Sequence, residues 1–224
     1  MTTAERLTRA KEDIDAVYEA GKAQGSGGEF EAFKNMDSIN YFFQSNCNSY
    51  YFDKLNELDL SNIKRAQYVF IDNTTAKEVI MPSMPSIILM HGMFMRCTSV
   101  EYIEVDTSLV NVVTDLFNGC TSLKEIGKPL DFSKATYTSN TFKDCTALEK
   151  VSFVGSINKS IDFHWSTKLA SNSLNSIITH LSDTATGQTI TLSTTAQANY
   201  NAVYGEGAWT ALVATKTNWT FAYA

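Results

Sequence analysis

Proline is scarce in this chain, with three residues in 224, and glycine numbers only eleven. A long disordered linker is therefore not expected. Basic clusters are few and small, Arg6, Arg9 and Lys11 in one place and Lys64 and Arg65 in another. With a formal net charge of −6, the chain lacks the basic stripe that displaces counterions from phosphates, so no nucleic-acid partner is expected. Long apolar runs are missing too. The longest aliphatic stretch, Ile87–Met90, falls far short of the roughly 20 residues of a membrane span, and no membrane partner is expected. Met1–Ala20 is charged throughout and has no apolar stretch of the kind a secretory signal needs. The expectation is a protein made in the cytoplasm that stays there or leaves by lysis or assembly.

Paired cysteines are also lacking. Cys47, Cys97, Cys120 and Cys145 form no CxxC pair, and His91, His164 and His180 lie at no ligand spacing from them. No zinc site, other metal or cofactor is expected. GxSxG, GxGxxG, P-loop, HExxH and EF-hand patterns are absent, so the chain reads as no enzyme. His164, beside Trp165, reads as a half-buried surface histidine. What is present is ordinary globular material, 44% hydrophobic and 19% charged, enough to bury a core.

The informative feature is an internal repeat. Three segments share one frame: Phe94, Cys97, Val100, Ile103; Phe117, Cys120, Leu123, Ile126; Phe142, Cys145, Leu148, Val151. Each reads F-x-x-C-x-x-[LV]-x-x-[IV]. An earlier copy runs Phe70, Asn73, Ala76, Val79, with Asn at the cysteine position, which marks an edge or atypical unit. A second register lies upstream. Asp59, Asp106 and Asp131 stand eleven residues before Phe70, Phe117 and Phe142, each followed two places on by Ser61, Ser108 or Ser133. The Phe94 copy has Ser83 and Pro85 instead, and the Pro82–Pro85 stretch is expected to distort its turn.

One such unit cannot bury its own apolar side, so units must stack. Phe70, Phe94, Phe117 and Phe142 are expected to form one inward column and Cys97, Cys120 and Cys145 another. The cysteines are expected as free buried thiols. The recurrent Asp is expected to accept hydrogen bonds from the turn after the strand. A single carboxylate per unit lacks the ligand count that calcium needs. These residues resemble the BspA-like class of leucine-rich repeat, closely over 65–153 and more loosely over 30–64. The resemblance implies an α/β repeat fold, a leucine-rich-repeat solenoid, with residues 30–159 as its body.

The flanks differ. Leu174, Ile177, Ile178 and Leu181 follow helical spacing, with Ser171 or Ser173 as the expected cap. Gln188–Leu192 reads as a strand, Ser193–Tyr204 and Ala208–Thr215 as helices, and Trp219, Phe221, Tyr223 as a last strand. Residues 160–224 are thus expected to be an α+β C-terminal cap. At the other end, Leu7, Ala10, Ile14 and Val17 form a short a/d seam over residues 1–24, joined by a flexible 25–29 segment, Gly25-Ser26-Gly27-Gly28 at its heart. This N-terminal helix is either an attachment and oligomerisation peptide or a helix folded onto the first repeat. Cys47 falls outside the frame. Asn73-Thr74-Thr75 and Asn218-Trp219-Thr220 match the glycosylation sequon and are expected to be idle.

The order of these parts is similar to that of repeat proteins carried by phages and prophages of gut Firmicutes, generally taken to be tail-associated. That resemblance implies a virion protein with a host-recognition face. Other virion proteins would be held through the N-terminal helix, a host surface glycan or protein would be the ligand, and the protein would be a homo-oligomer, a trimer before a dimer. A general protein–protein interaction module, or a surface adhesin, is the alternative. Lys124, Glu125, Glu149 and Lys150 occupy exposed strand positions, where charges are ordinarily solvated, and are not assigned as a site.

Overall fold

A computed structural model of the chain describes residues 32–46 and 54–224. The 1–24 segment with Leu7, Ala10, Ile14 and Val17, the 25–29 joint and Cys47 lie outside the described residues.

The repeat is built on parallel ladders that join each unit to the next. Strands β1 (Glu78–Ile80), β2 (Tyr102–Glu104) and β3 (Glu125–Ile126) pair in parallel, with Val79, Ile103 and Ile126 in one register row. Lys150 extends this ladder by a bridge from Glu125. The middle residue of each full strand is buried and its neighbours face outward, because side chains alternate across a strand. A second ladder runs Ser38, Arg65, Leu89, Val112, Tyr137, each a parallel bridge to the next. A third pairs β4 (Leu130–Asp131) with β5 (Phe153–Val154).

Between the ladders lies the core. Phe70, Phe94, Phe117 and Phe142 are fully buried. Their rings stack face to face, and the column is longer than the motif implies. It runs Phe43, Phe70, Phe94, Phe117, Phe142, Phe163, with centroid spacings of 5.0, 5.3, 5.8, 5.6 and 4.4 Å. Each such contact adds about 0.5–1.5 kcal/mol beyond the area it buries. Beside it, the thiols of Cys97, Cys120 and Cys145 donate to the carbonyls of Phe70, Phe94 and Phe117 at 3.0, 3.1 and 3.2 Å. Asn73 does the same work, donating from Nδ2 to the Phe43 carbonyl while its Oδ1 accepts from the Thr75 and Ala76 amides. The unit of Asn73 is therefore not at an edge, since Phe43 stacks beyond it.

The C-terminal region carries the helices and strands expected, adds a short strand at 161–163, and forms a parallel sheet of its own. It comprises β6 (Ile161–Phe163), α1 (Ser171–Thr179), β7 (Gln188–Leu192), α2 (Ala196–Tyr204), α3 (Ala208–Val213) and β8 (Trp219–Tyr223). β6, β7 and β8 form one parallel sheet. α1 takes the place of a strand beside Glu149–Phe153. Ser173 Oγ donates to the Glu149 carbonyl and accepts from the Val151 amide, and Ser176 Oγ accepts from the Phe153 amide. This corrects the expected cap. The residue before α1 is Ala170, with no side-chain cap, and Ser171 Oγ donates to the Asn199 carbonyl instead. Ser173 and Ser176 serve the neighbouring ladder and Ser171 the helix α2, rather than their own helix end.

Candidate functional site

The segment around each core Phe has an unusual backbone. Two residues before it stand Tyr41, Tyr68, Gly92, Asp115 and Asn140, and two after it Ser45, Asp72, Arg96, Gly119 and Asp144. All ten have positive φ, between 48° and 79°. Alternate residues therefore turn their amides in alternate directions. Met90, Gly92, Phe94 and Arg96 donate to carbonyls of the next unit (Val112, Thr114, Leu116, Asn118), while Met93, Met95 and Cys97 donate three residues back. These seven amides are all used, as a half-buried backbone favours. Gly, Asn and Asp adopt this conformation readily, whereas other L-residues do so at a cost of about 1–2 kcal/mol. Tyr41, Ser45, Tyr68 and Arg96 are the residues kept there against that preference.

Tyr41, Tyr68, Arg96 and their neighbours make a patch on the surface. Tyr41 and Tyr68 stack at 5.2 Å and 18°. The Tyr68 ring lies over Gly92, where a Cβ would stand 2.6 Å from its Cε1 and 3.6 Å from the Met95 Cβ. Tyr68, Ile71, His91 and Met95 are all half-buried. Tyr68 Oη is 2.7 Å from His91 Nε2, and Asp115 Oδ2 is 3.7 Å from that same nitrogen. Asn118 Nδ2 donates to the other Asp115 oxygen at 2.7 Å. At the rim, Arg96 grips Asp72 with two bonds of 2.6 and 2.8 Å, and Arg65 grips Asp37 with two of 2.9 Å. Burial, then Tyr41 and Asp115, push the Tyr68 phenol up, opposed by Arg96. The Arg96 hydrogen bond holds the Asp72 carboxyl below its ordinary value.

The His91 cluster does not have the geometry of a nucleophile relay. Tyr68 and Asp115 both address Nε2 of His91, so no carboxylate and hydroxyl stand on opposite ring nitrogens as a nucleophile relay requires. Among the described residues no group of three or more His, Cys, Asp and Glu is placed to hold a metal ion. Burial pushes the thiols of Cys120 and Cys145 up, which leaves them protonated and inert.

The remaining sequence features fall into place around this. Asp59, Asp106 and Asp131 each accept from the amide two residues on, at 3.0, 2.9 and 2.9 Å. Asp162 makes the same turn with the His164 amide at 2.9 Å, and its carboxylate also meets His164 Nδ1 at 2.7 Å. Trp165, its ring 4.4 Å from that of His164, is 38% exposed. Lys124 pairs with Glu101 at 2.6 Å and Lys150 with Glu125 at 3.0 Å, so much of the charge on the strand face is matched within the face. Both sequon asparagines are engaged. Asn73 is buried, and Asn218 Nδ2 donates to the Ser182 and Ala185 carbonyls at 2.8 and 2.7 Å. Among the described residues no helix is long and apolar enough to cross a membrane.

Parallel ladders, a stacked phenylalanine column and a cysteine column recurring with the motif define a leucine-rich-repeat protein of the short-strand type. The chain belongs to the family described as BspA type leucine rich repeat region, which matches residues 88–203 in six copies. The match runs past residue 159, in keeping with β6–β7–β8 continuing the parallel pairing. Comparison with curated proteins and with solved structures gave no match. Membership points to a protein–protein interaction or adhesin-like role, and it carries no information about a phage or Firmicutes source.

Proposed function

We propose that the protein is a non-enzymatic binding module, a leucine-rich-repeat solenoid whose contact surface is the patch of Tyr41, Tyr68, Ile71, His91 and Met95. The observation that carries this is the placing of the large side chains of Tyr41, Tyr68 and Arg96 at left-handed positions that other units fill with Gly, Asn, Asp or Ser. Backbone strain held at surface residues is a mark of function. The composition fits a protein partner. Tyr, Met and Arg are the types enriched in interface centres, with charged pairs at the rim. The strand face is the weaker candidate because exposed, internally matched ion pairs contribute little.

The test is a photo-crosslinking residue in place of Ile71 or Met95, against the same residue in place of Lys124 or Glu149, in the native cell. Adducts with a partner protein from positions 71 and 95 alone are expected. Adducts from 124 and 149 alone would move the contact surface to the strand face. The layout resemblance adds a separate proposal about attachment. In it, residues 1–24 join the chain to other virion proteins as a homo-oligomer, and the patch faces a host surface protein or glycan.

A further inference from the structure

We propose that Tyr68, His91 and Asp115 form a proton-operated switch that resets the hydrogen-bonding character of the patch. The proposal rests on the reading of the patch as the contact surface and concerns its regulation. In a neutral imidazole with its hydrogen on Nδ1, Nε2 accepts, and at 2.7 Å the Tyr68 O–H donates to it. The single hydroxyl hydrogen of Tyr68 is then used inside the protein. An imidazole takes up a proton between about pH 5 and 8. Both ring nitrogens then donate, so the Tyr68 oxygen becomes the acceptor and its hydrogen turns outward. One proton passes from solvent to His91, no covalent bond to Tyr68 breaks, and the direction of the Tyr68–His91 bond reverses. The patch gains a positive charge and an outward O–H donor, both of which a partner reads directly.

The surroundings support this role. The preceding unit presents Tyr68, with Tyr41 stacked behind it. The following unit presents the Asp115 carboxylate, 3.7 Å from Nε2, its second oxygen fixed by Asn118. Within the unit of His91, Arg96 is the nearby cation, and Asp72 matches its charge. The side chains of His91 and Asp115 are 29% and 18% exposed, so solvent screens their attraction less than that of the rim pairs. Position matters as well. The equivalent residues three before the core Phe are Asn40, Gln67, Thr114 and Ser139, none of which titrates, so the switch sits in one unit and at the aromatic end of the row.

The experiment is a pH titration of the full chain, with histidine rings labelled in nitrogen and tyrosines in carbon, followed by NMR. The Tyr68 Cζ resonance is expected to move with the midpoint of His91, while those of Tyr137 and Tyr223 stay still. In His91→Gln the side-chain oxygen still accepts from Tyr68 but binds no proton, and the Tyr68 response is expected to vanish. A flat Tyr68 resonance while His91 titrates, or a response that survives in His91→Gln, overturns the switch. Crosslinking from Met95 at two pH values separates this from failure of the patch. Adducts that do not change with pH reject the regulation alone, and adducts absent at every pH reject the patch and with it the regulatory claim.

Discussion

Gly92 is held by two constraints at once. Its φ is +57°, and a Cβ would stand 2.6 Å from Cε1 of Tyr68. Gly92→Ala must strain the backbone and lift the Tyr68 ring, at an expected cost of about 1–3 kcal/mol in urea unfolding. Near-UV circular dichroism should fall as the Tyr41–Tyr68 stack loosens. Gly119→Ala is the milder contrast: its φ of +79° is strained for alanine too, but the nearest atoms, Cγ and Cα of Arg96 at 3.2 and 3.3 Å, need give by only a few tenths of an ångström. It should cost less and leave the tyrosine signal intact. These positions also show what a sequence hides. Phe94, Cys97 and their repeats were legible because the core asks for the same side chain in every unit. The left-handed rows ask only for a backbone conformation, which Tyr68, Gly92, Asp115 and Asn140 meet with four different side chains. The available hint was the recurrence of Gly, Asp and Asn two places either side of the core Phe.

At the level of elements, α1 shows a helix serving as the next rung of a sheet. Its hydrophobic spacing was legible, and Leu174, Ile177 and Ile178 are buried as that spacing requires. The work of its serines was not, because Ser173 and Ser176 meet the amides of Val151 and Phe153, which belong to the unit before. Ser173→Ala leaves the Val151 amide and Glu149 carbonyl without that hydroxyl, and Ser173 is buried. The expected loss is about 1–3 kcal/mol, read by urea unfolding, with faster hydrogen exchange at Val151. An unchanged exchange rate there would mean that α1 does not cap the ladder. Phe163 escaped the motif for a related reason. It follows Phe142 by 21 residues, a shorter interval than the others, and sits in β6 among residues that read as cap.

Across the whole molecule, the repeat couples a buried scaffold to a surface that varies from unit to unit. Parallel pairing and the aromatic column are constant, while the left-handed rows carry tyrosine at one end and polar residues further on. The repeat class was legible from residue spacing, and the contact patch was not, because its members come from rows with no shared chemistry. The attachment proposal belongs at this scale too. Light scattering on the full chain and on a chain starting at Gly28 should give a trimer or dimer for the first and a monomer for the second. Monomers in both would remove the oligomerisation role of Leu7, Ala10, Ile14 and Val17.

The measurement closest to the central claim is oxidative footprinting of the full chain in its native extract and after purification. The account predicts that Met95, Tyr68 and Tyr41 are protected in the extract relative to the purified protein, while the exposed Tyr137 and Tyr223 react equally in both. Equal reactivity of Met95 and Tyr68 in the two samples, with protection at Tyr102 on the strand face, would contradict it.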